Sequence, residues 1–272
     1  MPRVLVYGGF DDMRSRDVRF LQEASRLGEV HALVWSDAAL RDITGKPPTF
    51  PAAERMYLLQ SSRWVVSAAV TGDAINPDAP PPGAPAHDLW AVTERDDSTG
   101  RRDAARARGT RYHVIPAREL EGFPEEAEDA DRSQGSGRTV VVTGCFDWVH
   151  SGHVRFFEEA AAFGALHVVV GSDENLRLLK GKGHPLFSQE ERRYRVRSVR
   201  FVTAAHIATG SGWLDAEPEI RRIRPDAYAV NTDGDRPEKR DFCRQNGIRY
   251  VVLNRVPRPG LPRRTSTDLR GY

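Results

Sequence analysis

Apolar runs of about five residues recur along this chain, separated by segments whose apolar residues fall at helical spacing. In the second half the runs predict strands over residues 139–143, 167–171, 227–231 and 250–253. The intervening spacing predicts helices over 150–163, 189–199, 218–223 and 237–246. The first half opens in the same way, with a strand over 3–7. Strands that are apolar throughout and alternate with helices imply an α/β fold: a Rossmann-like, doubly wound parallel sheet with ligands at the carboxyl ends of the strands.

The pattern occurs twice. Residues 3–11 (Arg-Val-Leu-Val-Tyr-Gly-Gly-Phe-Asp) lie over 139–147 (Thr-Val-Val-Val-Thr-Gly-Cys-Phe-Asp), and Ser36-Asp37 lies over Ser172-Asp173. Further on, Asp88 to Val92 matches Asp226 to Val230, and Gly109 to Tyr112 matches Gly247 to Tyr250. Such self-similarity marks a duplicated domain of somewhat over a hundred residues. Between the copies, residues 125–138 begin with five acids in seven positions and continue Ser-Gln-Gly-Ser-Gly, the composition of a solvated linker. The expected organisation is a domain over 1–124, a linker over 125–138 and a second domain over 139–272.

The candidate chemistry lies in the second copy. Gly144-Cys145-Phe146-Asp147-Trp148-Val149-His150-Ser151-Gly152-His153 follows the strand after Thr143 and opens a helix. A helix start offers unpaired N–H groups and a positive dipole end to an anion, and glycines admit close backbone approach. Two imidazoles three residues apart share a helical face and can donate to oxygens that gain charge in a transition state. In the first copy Arg14, Arg16, Asp17 and Thr44 stand where the second has His150, Gly152, His153 and Lys180. The first copy is therefore expected to be degenerate.

Other pieces cluster by position. Lys180 and Lys182 fall in what reads as a glycine loop, suited either to gripping phosphates or to plain solvation. Arg192 and Arg200 follow on the next helix; Arg55 and Arg63 repeat their spacing in the first copy, which leaves structural and functional roles both open. Near the end, Arg263-Arg264-Thr265-Ser266-Thr267 combines cations with hydroxyls at a helix N-terminus, a second phosphate cradle or a basic tail. Asp173, Trp213, Asn231 and Asp233 follow strands, where a base or acceptor would be read. Trp148 and Trp213 suit core packing as well as ligand contact, and His167, His184 and His206 read as structural.

Bulk properties add exclusions. A net charge of +2 with 29% charged residues demands neither nucleic acid nor an anionic membrane. Two cysteines, Cys145 and Cys243, make no disulfide framework or zinc knuckle, and no apolar stretch reaches membrane-spanning length. A cytoplasmic protein is the expectation.

Gly-x-Phe-Asp-x-x-His-x-Gly-His, Lys-x-Lys, Glu191-Arg192 and Thr-Ser-Thr-Asp-Leu together resemble the cytidylyltransferases of the nucleotidyltransferase superfamily. The tandem layout is similar to that of ethanolamine-phosphate cytidylyltransferases. The family's Gly-Asp-Asp turn reads Asn231-Thr232-Asp233 here. The resemblance implies transfer of CMP from CTP to a phosphorylated small molecule (a phospho-alcohol, phosphoamine, phosphonate or sugar phosphate), with Mg²⁺ on the phosphates. It implies catalytic roles for His150, His153, Lys180 and Arg264. Nucleotide contacts are implied for Thr143, Gly144, Cys145, Phe146, Gly152, Lys182, Arg192, Arg200, Asn231, Asp233, Thr265, Ser266 and Thr267. Acceptor contacts are implied for Asp147, Trp148, Asp173 and Trp213. The first copy is expected to stand in for a dimer partner as an intramolecular pseudo-dimer, with a homodimer the alternative. Rival readings are an ATP-dependent adenylyltransferase on the same site and a non-catalytic nucleotide sensor.

Overall fold

The computed structural model describes residues 1–124, 137–254 and 256–269, without the side chains of 267 and 268. It divides into two compact units, Met1–Gly122 and Phe123–Tyr272. Most of the expected linker, residues 125–136, lies outside the described residues.

The first unit runs β1 (Arg3–Gly8), α1 (Ser15–Leu27), β2 (Glu29–Val34), α2 (Asp37–Thr44), α3 (Ala52–Gln60), β3 (Val65–Val70), β4 (Leu89–Thr93), α4 (Thr99–Ala107) and β5 (Arg111–Ile115). Its strands form one sheet in the order β3-β2-β1-β4-β5, with every neighbouring pair parallel. Val4 and Val6 face one core with Phe20 and Leu21 of α1, while Leu5 and Tyr7 face another with Trp35, Leu40 and Trp90. A strand buried on both faces has no polar side to alternate with, which is why its run is continuously apolar.

The second unit repeats this plan: β6 (Thr139–Gly144), α5 (Ser151–Ala161), β7 (Ala165–Val170), α6 (Asp173–Lys180), α7 (Gln189–Arg197), β8 (Ala204–Ile207), α8 (Glu217–Ile223), β9 (Ala227–Asn231), α9 (Pro237–Gln245), β10 (Arg249–Leu253) and the short α10 (Ser266–Leu269). The sheet order is β10-β9-β6-β7-β8, again all parallel. Val140, Val141 and Val142 are fully buried at its centre. From β6 the chain winds outward through β7 and β8, then returns to lay β9 on the other side of β6. That reversal makes a crevice outside the carboxyl ends of β6 and β9, the place where open α/β sheets bind ligands.

Several elements differ from the sequence expectation. Lys180 does not sit in a loop: it ends α6, whose start is capped by the Ser172 hydroxyl accepting from the Asn175 N–H. Only Asn175 and Leu176 of that helix are buried, so its apolar signal is thin. Strand β8, Ala-Ala-His-Ile, was not anticipated because alanine carries little strand signal. Helix α7 stops at Arg197, so Arg200 lies beyond it rather than on it.

Candidate active site

Residue His150 is the N-cap of α5, with extended backbone (φ −137°, ψ 175°), and its Nδ1 accepts the Gly152 N–H at 3.1 Å. The side chain is wholly buried. One turn on, the His153 ring lies against it, with centroids 4.0 Å apart and planes 31° from parallel. Gly152 makes this arrangement possible. A Cβ there would stand 3.0 Å from Cε1 and 3.1 Å from Nδ1 of His150, tighter than packed atoms tolerate without moving. The same Cβ would lie 3.5 Å from the Arg264 carbonyl, so the C-terminal segment seats at the start of α5.

The turn before the histidines is fixed independently. Phe146 takes a left-handed conformation (φ 50°), as Phe10 does in the first unit (φ 51°). For a non-glycine residue this conformation costs on the order of 1 kcal/mol or more. Packing holds it: the Phe146 ring stands 5.3 Å from that of His153 and 5.1 Å from that of Phe157. Gly144 lies directly over the ring, where a Cβ would fall 2.7 Å from its Cζ. Asp147 then ties the turn to a distant loop, its Oδ1 accepting the N–H groups of Leu186 (2.8 Å) and Phe187 (3.1 Å).

These features border a cleft of about 720 Å³ at the carboxyl ends of β6, β7 and β9. Of the residues expected to serve, Thr143, Gly144, Cys145, Phe146, Asp147, His153, Lys180, Trp213, Asn231, Asp233, Thr265 and Ser266 line it. His150 lies beneath, in contact with His153. Gly152 and Arg264 border a much smaller indentation beside Ser151. Lys182 is exposed, outside the cleft lining, and the Thr267 side chain lies outside the described residues.

Five expectations need correction. Arg192, expected on the nucleotide, is 0% exposed. It donates to the carbonyls of Phe187 (3.0 Å), Cys145 (2.7 Å) and Gly171 (2.8 Å) and to Asp173 Oδ1 (2.7 Å). Arg55 spends its donors in the same way on Phe50, Gly9, Trp35 and Asp37. A guanidinium engaged with three carbonyls and a carboxylate braces the scaffold and cannot reach a triphosphate. Asp173, expected on the acceptor, is its ion-pair partner and lies outside the cleft lining. Trp148 is buried and absent from the lining, and Arg200 is exposed beyond α7 and likewise absent. Asp147 borders the cleft, but the amides of the 186–187 loop engage its carboxylate, as those of Thr49 and Phe50 engage Asp11.

The cleft also holds Asn175, Asp215 and Lys239, which the sequence reading passed over, and His184, which it read as structural. Asn175 Nδ2 donates to Asp215 Oδ2 (2.9 Å) and to the Gly212 carbonyl (3.1 Å), while its Oδ1 accepts the Gly212 N–H (2.7 Å). Burial raises the Asp215 carboxyl above its ordinary range, against the Asn175 hydrogen bond. Burial likewise lowers the Lys239 ammonium, opposed by the charge of Asp215. Lys239 Nζ donates to the Gly234 carbonyl at 3.4 Å and lies 5.7 Å from the centroid of the Tyr228 ring. A signal was present, because the register that lays Asp88 over Asp226 also lays Arg101 over Lys239, and Arg101 in turn lies 5.9 Å over Trp90 and 3.6 Å from Asp78.

Residues 141–252 match the family model described as cytidylyltransferase-like. Over 121 residues the chain is 34% identical to FAD synthase of Thermococcus kodakarensis, covering 43% of this chain and 78% of that protein. It is 31% identical over 125 residues to the bifunctional protein HldE of Desulfatibacillum aliphaticivorans, of which it spans only 25%. A lipopolysaccharide core biosynthesis protein from Thermoplasma volcanium has a structure similar over 43% of this chain and 96% of its own, with 25% identity and a TM-score of 0.38. Through the segment that carries the glycine turn, the paired histidines and the crevice between β6 and β9, this chain belongs to the cytidylyltransferase-like family of nucleotidyltransferases.

Proposed function

We propose that the second unit transfers a nucleotidyl group from a nucleoside triphosphate, with CTP favoured, to the phosphate of a small molecule. The observation that carries this reading is His153 on the wall of the cleft, braced from below by the buried His150 and sharing that cleft with Lys180, Thr265 and Ser266. An oxygen of the acceptor phosphate attacks the α-phosphorus in line. The bond from the α-phosphorus to the bridging oxygen breaks, and pyrophosphate leaves with the electron pair. Such chemistry asks the protein for position and charge rather than covalent work. In this reading His153 donates to oxygens that gain charge; His150, expected as a second donor but buried and outside the cleft lining, holds the His153 ring in place; and Lys180 and the hydroxyls receive the β and γ phosphates.

Among the described residues no group of three or more His, Cys, Asp or Glu could hold a metal ion. In this account Mg²⁺ would enter on the triphosphate as part of the substrate and would neutralise part of its charge. No helix among the described residues is long and apolar enough to cross a membrane.

The resemblance of the histidine and hydroxyl motifs supports CTP as donor. A second reading, with ATP, is favoured by the relative named FAD synthase, whose product contains adenine. Pyrophosphate release with CTP, ATP, GTP and UTP against a panel of phosphorylated acceptors separates the two. Release with one nucleotide and one acceptor, lost in His153→Ala, supports transfer; nucleotide binding without release from any pair favours a sensor.

A further inference from the structure

One wall of the cleft is built from groups that the phosphoryl chemistry does not use: Asn175, Asp215, Asn231 and Lys239. Their hydrogen-bonding capacities are mixed. Asp215 presents a carboxylate held by the nearly fully buried Asn175, which fixes it to the Gly212 turn. Lys239 brings a partly buried ammonium that makes a long hydrogen bond to the Gly234 carbonyl, lies over the face of Tyr228 and is within electrostatic reach of Asp215 and Asp233. Asn231 Oδ1 is buried and has no donor among the described residues. An acceptor atom buried without a donor costs free energy that a ligand can recover.

The charges narrow what can lie there. A primary or quaternary ammonium would suit Asp215 but would meet Lys239. The Trp213 face, where a quaternary ammonium would stack, already carries the Arg236 guanidinium 5.2 Å from the ring centroid. A second anionic group would suit Lys239 but would meet Asp215 and Asp233. A hydroxyl donates and accepts at once, so neighbouring hydroxyls satisfy Asn231 and Asp215 as donors and Lys239 as acceptors. Sites built to hydrogen-bond a hydroxyl discriminate strongly against analogues that lack it.

We infer that Asn231, moved here from the nucleotide contact that the resemblance implies, forms with Asp215 and Lys239 the specificity wall for the acceptor, and that the acceptor is a neutral-tailed polyol phosphate or sugar phosphate rather than a phosphoamine. The inference rests on the transfer reading above. It narrows the acceptor to one chemical class and assigns Lys239 and Asp215, which no motif singles out, as specificity-determining residues.

Calorimetry on the full chain tests it. The protein is first titrated with α,β-methylene-CTP and α,β-methylene-ATP. The loaded protein is then titrated with glycerol 3-phosphate, ribitol 5-phosphate and glucose 1-phosphate, and in parallel with phosphoethanolamine and phosphocholine. A polyol or sugar phosphate is expected to bind more tightly than either phosphoamine. In Lys239→Met that binding weakens about tenfold or more, the effect of losing a charged hydrogen bond, while the nucleotide analogue stays within about twofold. Lys239→Arg, which restores the charge the first unit carries as Arg101, is expected to recover part of the loss. Phosphoamines binding as well as the hydroxylated panel, or Lys239→Met weakening nucleotide and acceptor alike, would overturn the inference and leave transfer standing. A bound nucleotide analogue with no hydroxylated phosphate bound would do the same. Failure of both analogues to bind the unaltered chain would remove the transfer reading, and the inference with it.

Discussion

At the residue scale the site turns on one absent methyl group. Gly152 leaves the space that the His150 ring occupies, and the first unit, which needs no such space, carries Arg16 there. Gly152→Ala is expected to push the ring toward His153 and lower turnover about a hundredfold, the scale of a 1 Å misplacement, with melting temperature as the control for folding. Arg192 is the opposite case. With its donors on three carbonyls and Asp173, Arg192→Met strands buried acceptors and should lose about 3 kcal/mol or more of stability in urea unfolding. Little change in stability would return Arg192 to the nucleotide. The sequence disclosed the histidines because only a helix-start string with glycine between them has that chemistry. It concealed the fate of Arg192, since an arginine on a helix reads the same whether it points at carbonyls or phosphates. The discriminating clue was Arg55 and Asp37, kept in a copy that has lost the histidines.

At the scale of elements, the strands of the sheet were legible because central parallel strands are apolar without interruption. Helix α6 was not, because only two of its residues are buried and a glycine segment follows it directly. Missing α6 meant missing Asn175, and with it the clamp that sets Asp215 and the Trp213 turn. Helix α9 was legible as a helix, but nothing in its spacing marked Lys239 as a half-buried cation. Its burial gives a pH signature. A buried lysine whose pKa lies below 10.5 loses its charge earlier than an ordinary lysine as pH rises. Acceptor binding should therefore weaken with rising pH before 10.5 is reached, while Lys239→Met shows a flatter profile over the same range. The stability effect has the opposite sign: between the lowered pKa and 10.5 the unfolded chain binds more protons, so this residue's contribution grows more favourable as pH rises. For Asp215 the raised pKa means that the folded form binds more protons above 3.8, so its contribution falls as pH rises through that window. Asp215→Asn should remove that fall in a stability-against-pH series; an unchanged series would contradict the burial argument.

At the scale of the whole chain, duplication was legible from register alone, and the two sheets share one strand order. What the register alone did not disclose is the aromatic packing of the first unit at positions that line the cleft in the second. Tyr7 and Trp35 stand where the second unit has Thr143 and Gly171, and with Trp90 they form an aromatic cluster, Tyr7 to Trp35 at 5.8 Å and Tyr7 to Trp90 at 6.3 Å. With aromatic rings at those positions and Asp17 at the helix start, calorimetry is expected to find a single nucleotide bound per chain. A second site of similar affinity would show the first unit to be competent. The central claim, nucleotidyl transfer at the paired histidines, is tested most directly by acceptor-dependent pyrophosphate release from CTP and ATP, comparing the unaltered chain with His153→Ala. The account predicts release that requires both substrates and falls about a hundredfold or more in the variant, as when one transition-state donor is lost. Release at the same rate in a folded His153→Ala protein would contradict it.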